Sequence, residues 1–234
     1  NASVGRGAAR WARDGRAGAS ARRGGGTESS RILVHSHPRR ATTGMAILMV
    51  TSPRVPVLCP GDRLTRDEFE RRYSAMPDLK KAELIEGVVY MASAVRYDQH
   101  GRPERVLSNW LTYYEDATHG IGVVGNSTVR LDLDNEPQPD LLVRLPEQAG
   151  GNSRVGKDGY LEGPPELAIE VAASSVSYDL HQKFGAYRRN GVQEYLVHRV
   201  EDGEIDWFVL EHGIFVRQQP DADGVLKSRV FPGL

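Results

Sequence analysis

One cysteine, Cys59, is all the chain has in 234 residues. A lone thiol excludes an intramolecular disulfide framework and any metal site built from several thiolates, and it suits a reducing cytoplasm. Long apolar runs are also missing. The nearest approach, MAILMV at 45–50, falls far short of the roughly 20 residues that cross a bilayer. No glycine-rich phosphate cradle of the P-loop type occurs. Ser174, Ser175 and Ser177 lack the pattern of a nucleophile elbow, which argues against serine hydrolysis.

A large net charge is absent too, at -1, but the balance is uneven along the chain. Residues 1–44 hold nine Lys or Arg and two Asp or Glu; the remainder holds 21 basic and 29 acidic residues. An acidic body weakens any expectation of strong sequence-independent DNA binding, which rests on cationic contacts to phosphates. Acidic residues gathered at a metal site would raise the same tally.

Residues 1–44 are rich in Gly, Ala, Arg and Ser and carry no sustained apolar period. Such a composition buries too little apolar surface to offset ordering entropy. A basic nucleic-acid-binding arm and a targeting peptide both fit. The simplest expectation is a disordered extension, or upstream sequence ahead of a start at Met45 or Met49, since the chain begins with Asn.

An ordered body is expected over 60–234. DRLTRDEFERRYSAM predicts a helix, with Thr65 and Glu68 spaced as a capping box. AELIEGVVYMAS predicts a hairpin turning at Glu86-Gly87. RPERVLSNWLTYYEDA predicts a helix buried through Val106, Trp110 and Tyr113 or Tyr114. IGVVG, STVRLDL and PDLLVRL follow as strands, then a loop over 146–164 and a buried strand in PPELAIEVA. YDLHQKFGAYRRNG predicts a helix with Asp179 as N-cap and Gly191 as stop. VQEYLVHRV, EIDWFVLE and GIFVRQQ end the chain as a meander. This order implies a mixed α/β domain with a central sheet and few covering helices.

Within that frame two carboxylates stand at the ends of apolar runs thirty positions apart, Asp140 in QPDLLVRL and Glu170 in ELAIEVAASS. On adjacent strands such a pair can hold one divalent cation, and Lys183 on the next helix can steady a phosphate or an attacking water. This is the minimum equipment for metal-assisted phosphodiester cleavage. Each residue has a plainer alternative. Asp140 can end a turn, and Lys183 can pair with Asp179 on a solvated helix face. Glu170 is harder to dismiss, because a carboxylate inside LAIEVA is costly to bury unless paired or metal-bound. By helical spacing Leu180, Phe184 and Tyr187 form the buried stripe, with Lys183 flanking it and reaching past the sheet edge.

The segments AELIEGVVYM, QPDLLV, PPELAIEVAASSVSYDLHQKFGAYRRNGVQEYLV and SRVFPGL resemble the Uma-two family of restriction-endonuclease-like proteins, over roughly residues 61–234. The resemblance implies a PD-(D/E)XK nuclease core with flanking helices and a Mg²⁺-dependent site, Mn²⁺ being an alternative ion. It implies an endonuclease acting on DNA. Asp140 matches the family's PD aspartate and Glu170 its strand acid. The general motif has a lysine two positions after that acid; here Ala172 stands there, and Lys183 matches a family lysine on the following helix. Glu83, with Glu86 as its close competitor, matches a recurrent acid that would complete the metal shell, and His100 a histidine before the first core helix. EVAASS departs from the family's usual loop. A homodimer suits a substrate with two strands. The alternative is a nuclease-fold module without catalysis that binds nucleic acid or a protein.

Overall fold

The computed structural model describes residues 54–92 and 94–234. The expectations for residues 1–44, and for a start at Met45 or Met49, lie outside the described residues.

Helix α1 (Arg66–Ser74) begins after Thr65, as its spacing predicts, but no capping box forms. Glu68 instead bonds Arg71 and Arg72 along the helix. The hairpin β1 (Ala82–Ile85) and β2 (Val88–Met91) turns at Glu86 and Gly87, both with positive φ. That geometry matches the right-handed twist of the two strands. A π-helical turn (Tyr97–Gly101) then leads into α2 (Arg102–Ala117).

The central sheet has six strands in the order β11-β10-β9-β8-β5-β3. They are β3 (Gly122–Gly125), β5 (Leu141–Arg144), β8 (Leu167–Ala172), β9 (Glu194–Arg199), β10 (Glu204–Glu211) and β11 (Ile214–Arg217). Only β8 and β9 run parallel. Their crossover is the helical segment 176–189: α3 (Val176–Tyr178), a π-helical turn (Asp179–Lys183) and α4 (Phe184–Arg189). Gly191, at φ 83, ends it.

Both faces of the sheet are covered, so LAIEVA reads as an unbroken apolar run rather than an alternation. Leu167, Ile169 and Val171 pack with Leu107 and Leu111 of α2, Trp207 and Phe231. Ala168 and Ala172 lie on the opposite face with Tyr187, Tyr195 and Phe215. Period-two alternation therefore puts Glu170 on the face beneath segment 176–189, between two alanines that leave room for larger groups.

Several expectations are corrected. Leu107 and Leu111, with Trp110 and Tyr114, form the buried stripe of α2, while Val106 and Tyr113 face outward. The expected strand STVRLDL shrinks to β4 (Val129–Arg130), which pairs with β7 (Leu161–Glu162) rather than the central sheet. The expected loop 146–164 contains that strand and β6 (Arg154–Val155), and the three strands form a small second sheet. Two-residue strands carry too few residues for periodicity to reveal them. Asp179 is no cap; it is buried inside the π-helical turn.

Candidate active site

Asp140 immediately precedes β5. The antiparallel register pairs Leu141 with Ile169, so one step further sets Asp140 opposite Glu170 on the same face. Asp140 Oδ2 accepts the Val171 N–H at 2.8 Å and lies 3.2 Å from His100 Nε2. Its Oδ1 lies 3.5 Å from Lys81 Nζ. Burial pushes this carboxyl up, but the His100 bond, the charges of Lys81 and His100 and the Val171 N–H outweigh it and hold the pKa at about 2. In return Asp140 raises the His100 pKa against the effect of burial.

Glu170 Oε1 accepts from Lys183 Nζ and from the Tyr187 hydroxyl, both at 2.9 Å. Glu83 Oε1 lies 2.8 Å from the same Nζ and accepts the Gln138 N–H at 2.7 Å. Asp179 Oδ1 stands 4.0 Å from Nζ. Lys183 thus sits among three carboxylates and over the Tyr178 ring, 5.4 Å from its centroid. This corrects the expectation that its ammonium reaches past the sheet edge: the side chain is 3% exposed and points inward. Residues spaced by four share a helix face, so Asp179, Lys183 and Tyr187 line up toward the sheet.

Burial and neighbouring charge together set the pKa shifts. Burial works against the Lys183 ammonium, but Glu170, Glu83 and Asp179 hold its pKa well above the usual range. Burial raises Glu170 and Asp179; Lys183 opposes this, while the neighbouring carboxylates add to it. Burial is the main cause for the two carboxyls and the local charge adds to it, since four carboxyl groups (Asp140, Glu170, Glu83, Asp179) face the ammonium groups of Lys81 and Lys183 and the His100 ring. A small buried site with a surplus of negative charge favours a cation.

The donors fit Mg²⁺ or Mn²⁺ in one particular way. No three His, Cys, Asp or Glu side chains converge in a metal-holding group among the described residues. Lys183, not open space, lies between Glu83 and Glu170. Glu170 Oε2 accepts no hydrogen bond among the described residues, and it is not among the fully buried unpartnered atoms. Mg²⁺ keeps several waters and commonly takes only one or two carboxylates. Asp140 and Glu170 can supply those two.

Sequence reasoning placed Asp140, Glu170, Glu83 and Lys183 at the site and noted His100 only as a family match before the first core helix; the structure brings all five together. It missed Lys81, Tyr178 and Tyr187 and misread Asp179. Lys81 immediately precedes AELIEG, Tyr178 adjoins Asp179 and Tyr187 lies four residues after Lys183, but charge and aromaticity alone do not reveal direction. Three side chains of the site come from π-helical turns: His100, Asp179 and Lys183. Such turns recur at functional sites because they shift the register of a helix locally. A second cleft, lined by Arg66, Glu70, Arg130, Asp158 and Glu162, carries guanidinium groups already paired with carboxylates.

Residues 66–234 match the model of the Uma2 family, described as "Putative restriction endonuclease". A crystal structure from Anabaena variabilis ATCC 29413, described as "a putative nuclease belonging to DUF820", matches with a TM-score of 0.56 at 14% identity. The match covers 72% of this chain and 90% of that one. The fold is thereby mixed α/β and restriction-endonuclease-like. A comparison with curated proteins finds no match.

Proposed function

The chain belongs to the Uma2 family, and we propose from that premise that the Asp140–Glu170–Lys183 cluster is the centre of a metal-dependent nuclease that hydrolyses DNA phosphodiester bonds. The observation that carries this reading is the buried excess of carboxylate around Glu170, on the central strand of the sheet. A fold alone does not give an activity, but this charge arrangement is expensive unless it is used.

Asp140 and Glu170 are the residues that would hold Mg²⁺ or Mn²⁺. The ion, when bound, lowers the pKa of its water and offsets charge on the phosphate. Val171 N–H fixes the Asp140 carboxylate, so its direction does not depend on substrate. Lys183 and Tyr187 fix Glu170 through Oε1 and leave Oε2 free. Glu83 anchors Lys183 from the hairpin side rather than serving as a third ligand. Lys81, partly exposed, can exchange Asp140 for a phosphate oxygen. His100 lies between Asp140 and Glu104, whose carboxylates raise its pKa and favour the ring that can donate a proton at the site.

A module without catalysis is the second reading, and the closed Lys183–Glu170 pair favours it. Calorimetric titration with Mn²⁺ separates them. The wild-type chain should bind weakly and Asp140→Ala should lose the heat of binding. Binding unchanged in Asp140→Ala would remove this site from the proposal.

A further inference from the structure

Most arginines of the body are neutralised at short range. Arg72 pairs with Asp62 and Glu68, Arg130 with Glu70 and Asp158, and Arg199 and Arg217 share Asp206. Lys80, Arg96, Arg102 and Arg105 form no ion pair among the described residues, and all four are exposed. Three of them fall within ten residues, Arg96 just before the π-helical turn and Arg102 and Arg105 on the first turn of α2.

This stretch borders the candidate site. Lys81 and His100 approach the Asp140 carboxylate at its two oxygens. The Ala92 N–H bonds the Lys81 carbonyl, so the open end of the hairpin delivers the chain directly to residues 94–101. The Arg96 carbonyl accepts the N–H groups of His100 and Gly101, which places Arg96 one turn from His100. Gln99 ties the turn to Glu201 in the β9–β10 connection. Of the acids here, Glu104 is engaged by His100 and Asn126, leaving Asp98 exposed.

Apolar and aromatic groups alternate with these cations. Val95 is 68% exposed and Tyr97 77%. Along α2, Arg102, Val106, Asn109 and Tyr113 follow one another at helical spacing on the outer face, and Tyr113 is 79% exposed. Arg96 donates to the neutral Gln99 side chain at 3.0 Å, and aromatic rings left in water next to guanidinium groups without a carboxylate partner among the described residues suit unpaired bases on a phosphate backbone. Bases of a closed duplex do not offer their faces for stacking, whereas those of a single strand do.

We infer that residues 94–113 form a loading surface for single-stranded nucleic acid, with Tyr97 stacking on a base while Arg96, Arg102 and Arg105 follow the phosphates toward Asp140. The inference rests on the proposed nuclease reading and adds the form of the substrate and the residues that grip it.

Fluorescence anisotropy with a labelled oligo(dT) and a blunt duplex, on the full chain without divalent metal, tests it. Tyr97→Ala should weaken oligo(dT) binding about fivefold or more, the lower end of what one stacked base contributes, and should leave the salt dependence unchanged. The triple variant R96A/R102A/R105A should reduce the slope of log K against log salt by about 2, since each single-strand phosphate contact contributes about 0.7. Both variants should melt at the wild-type temperature, because every altered side chain is exposed. Any contribution of the basic residues 1–44 is common to all proteins compared. Equal binding and slope in wild type and variants would overturn the loading surface and leave the nuclease proposal standing. Tighter binding of the duplex than of oligo(dT) would overturn the single-strand preference. A wild type that binds neither probe would overturn this inference, and the nuclease proposal would then be judged on metal-dependent cleavage alone.

Discussion

Replacing Lys183 with methionine keeps the length of the side chain and removes the ammonium that lies between Glu83 and Glu170. Its side chain is 3% exposed, that of Glu170 4% and that of Glu83 10%, so solvent screens the contacts little. Removing one partner of a buried pair costs about 3–5 kcal/mol because an uncompensated charge remains. At about 2–4 °C per kcal/mol for a domain of this size, Lys183→Met should melt roughly 6–20 °C lower. Glu170→Gln should cost much less, since Lys183 keeps Glu83 and Asp179. The double variant K183M/E170Q should be more stable than K183M alone, because it removes a carboxylate that has lost its cation. Thermal melts followed by circular dichroism, with and without Mn²⁺ in about tenfold excess over its dissociation constant as titrated on the wild type, read all four proteins. Mn²⁺ should restore more stability to K183M than it adds to wild type. A K183M protein that melts within about 2 °C of wild type would refute the charge account of the cluster, because one pair worth less than about 1 kcal/mol is a surface-type pair.

Three further outcomes follow from the same coordinates. The Tyr178 hydroxyl is buried with no hydrogen-bond partner among the described residues, so Tyr178→Phe should keep or raise stability by up to about 1 kcal/mol in urea unfolding; a clear loss would mean the hydroxyl is bonded. Burial, with the Glu70 carboxyl adding to it, raises the Glu136 pKa from 4.5 to about 8. An unfolded chain gives up this proton first, so the contribution of Glu136 is full below about 4.5 and is lost as pH rises toward about 8. Glu136→Gln should therefore flatten the pH dependence of the melting temperature over that window and stabilise the protein at its upper end. Glu194 accepts from Trp207, Ser228 and the backbone N–H groups of Arg229 and Val230, so Glu194→Ala should release the C-terminal segment and make it cleavable by protease under native conditions.

Much of this was legible in the residues. The hairpin at Glu86-Gly87, the bounds of α2 and the strands of the central sheet follow from turn chemistry and from the contrast between alternating and continuous apolar runs. Glu170 stood out because a carboxylate amid LAIEVA has no cheap place to go. Periodicity misplaced part of the buried face of α2, where Val106 and Tyr113 point outward, and it erred again where a helix is not α-helical. The π-helical turn at Asp179–Lys183 helps place an apparent cap and an apparent rim lysine inside the core, and nothing in DLHQK announces it. Lys81 was invisible because it comes to Asp140 through the pairing of the hairpin and not through spacing. Glu194 shows a further limit: a fully buried carboxylate can serve the chain alone, and only its donors, gathered from SRVF far along the sequence, separate it from Glu170.

The most direct test of the central claim is cleavage of a panel of plasmid and single-stranded DNA by the full chain with Mg²⁺ or Mn²⁺, beside Glu170→Ala. The account predicts metal-dependent cutting by the wild type that disappears in the variant, with single-stranded substrate cut in preference. Cutting that survives in Glu170→Ala would place the chemistry elsewhere, and a folded, metal-binding wild type that cuts nothing in the panel would contradict the nuclease reading and favour a binding module.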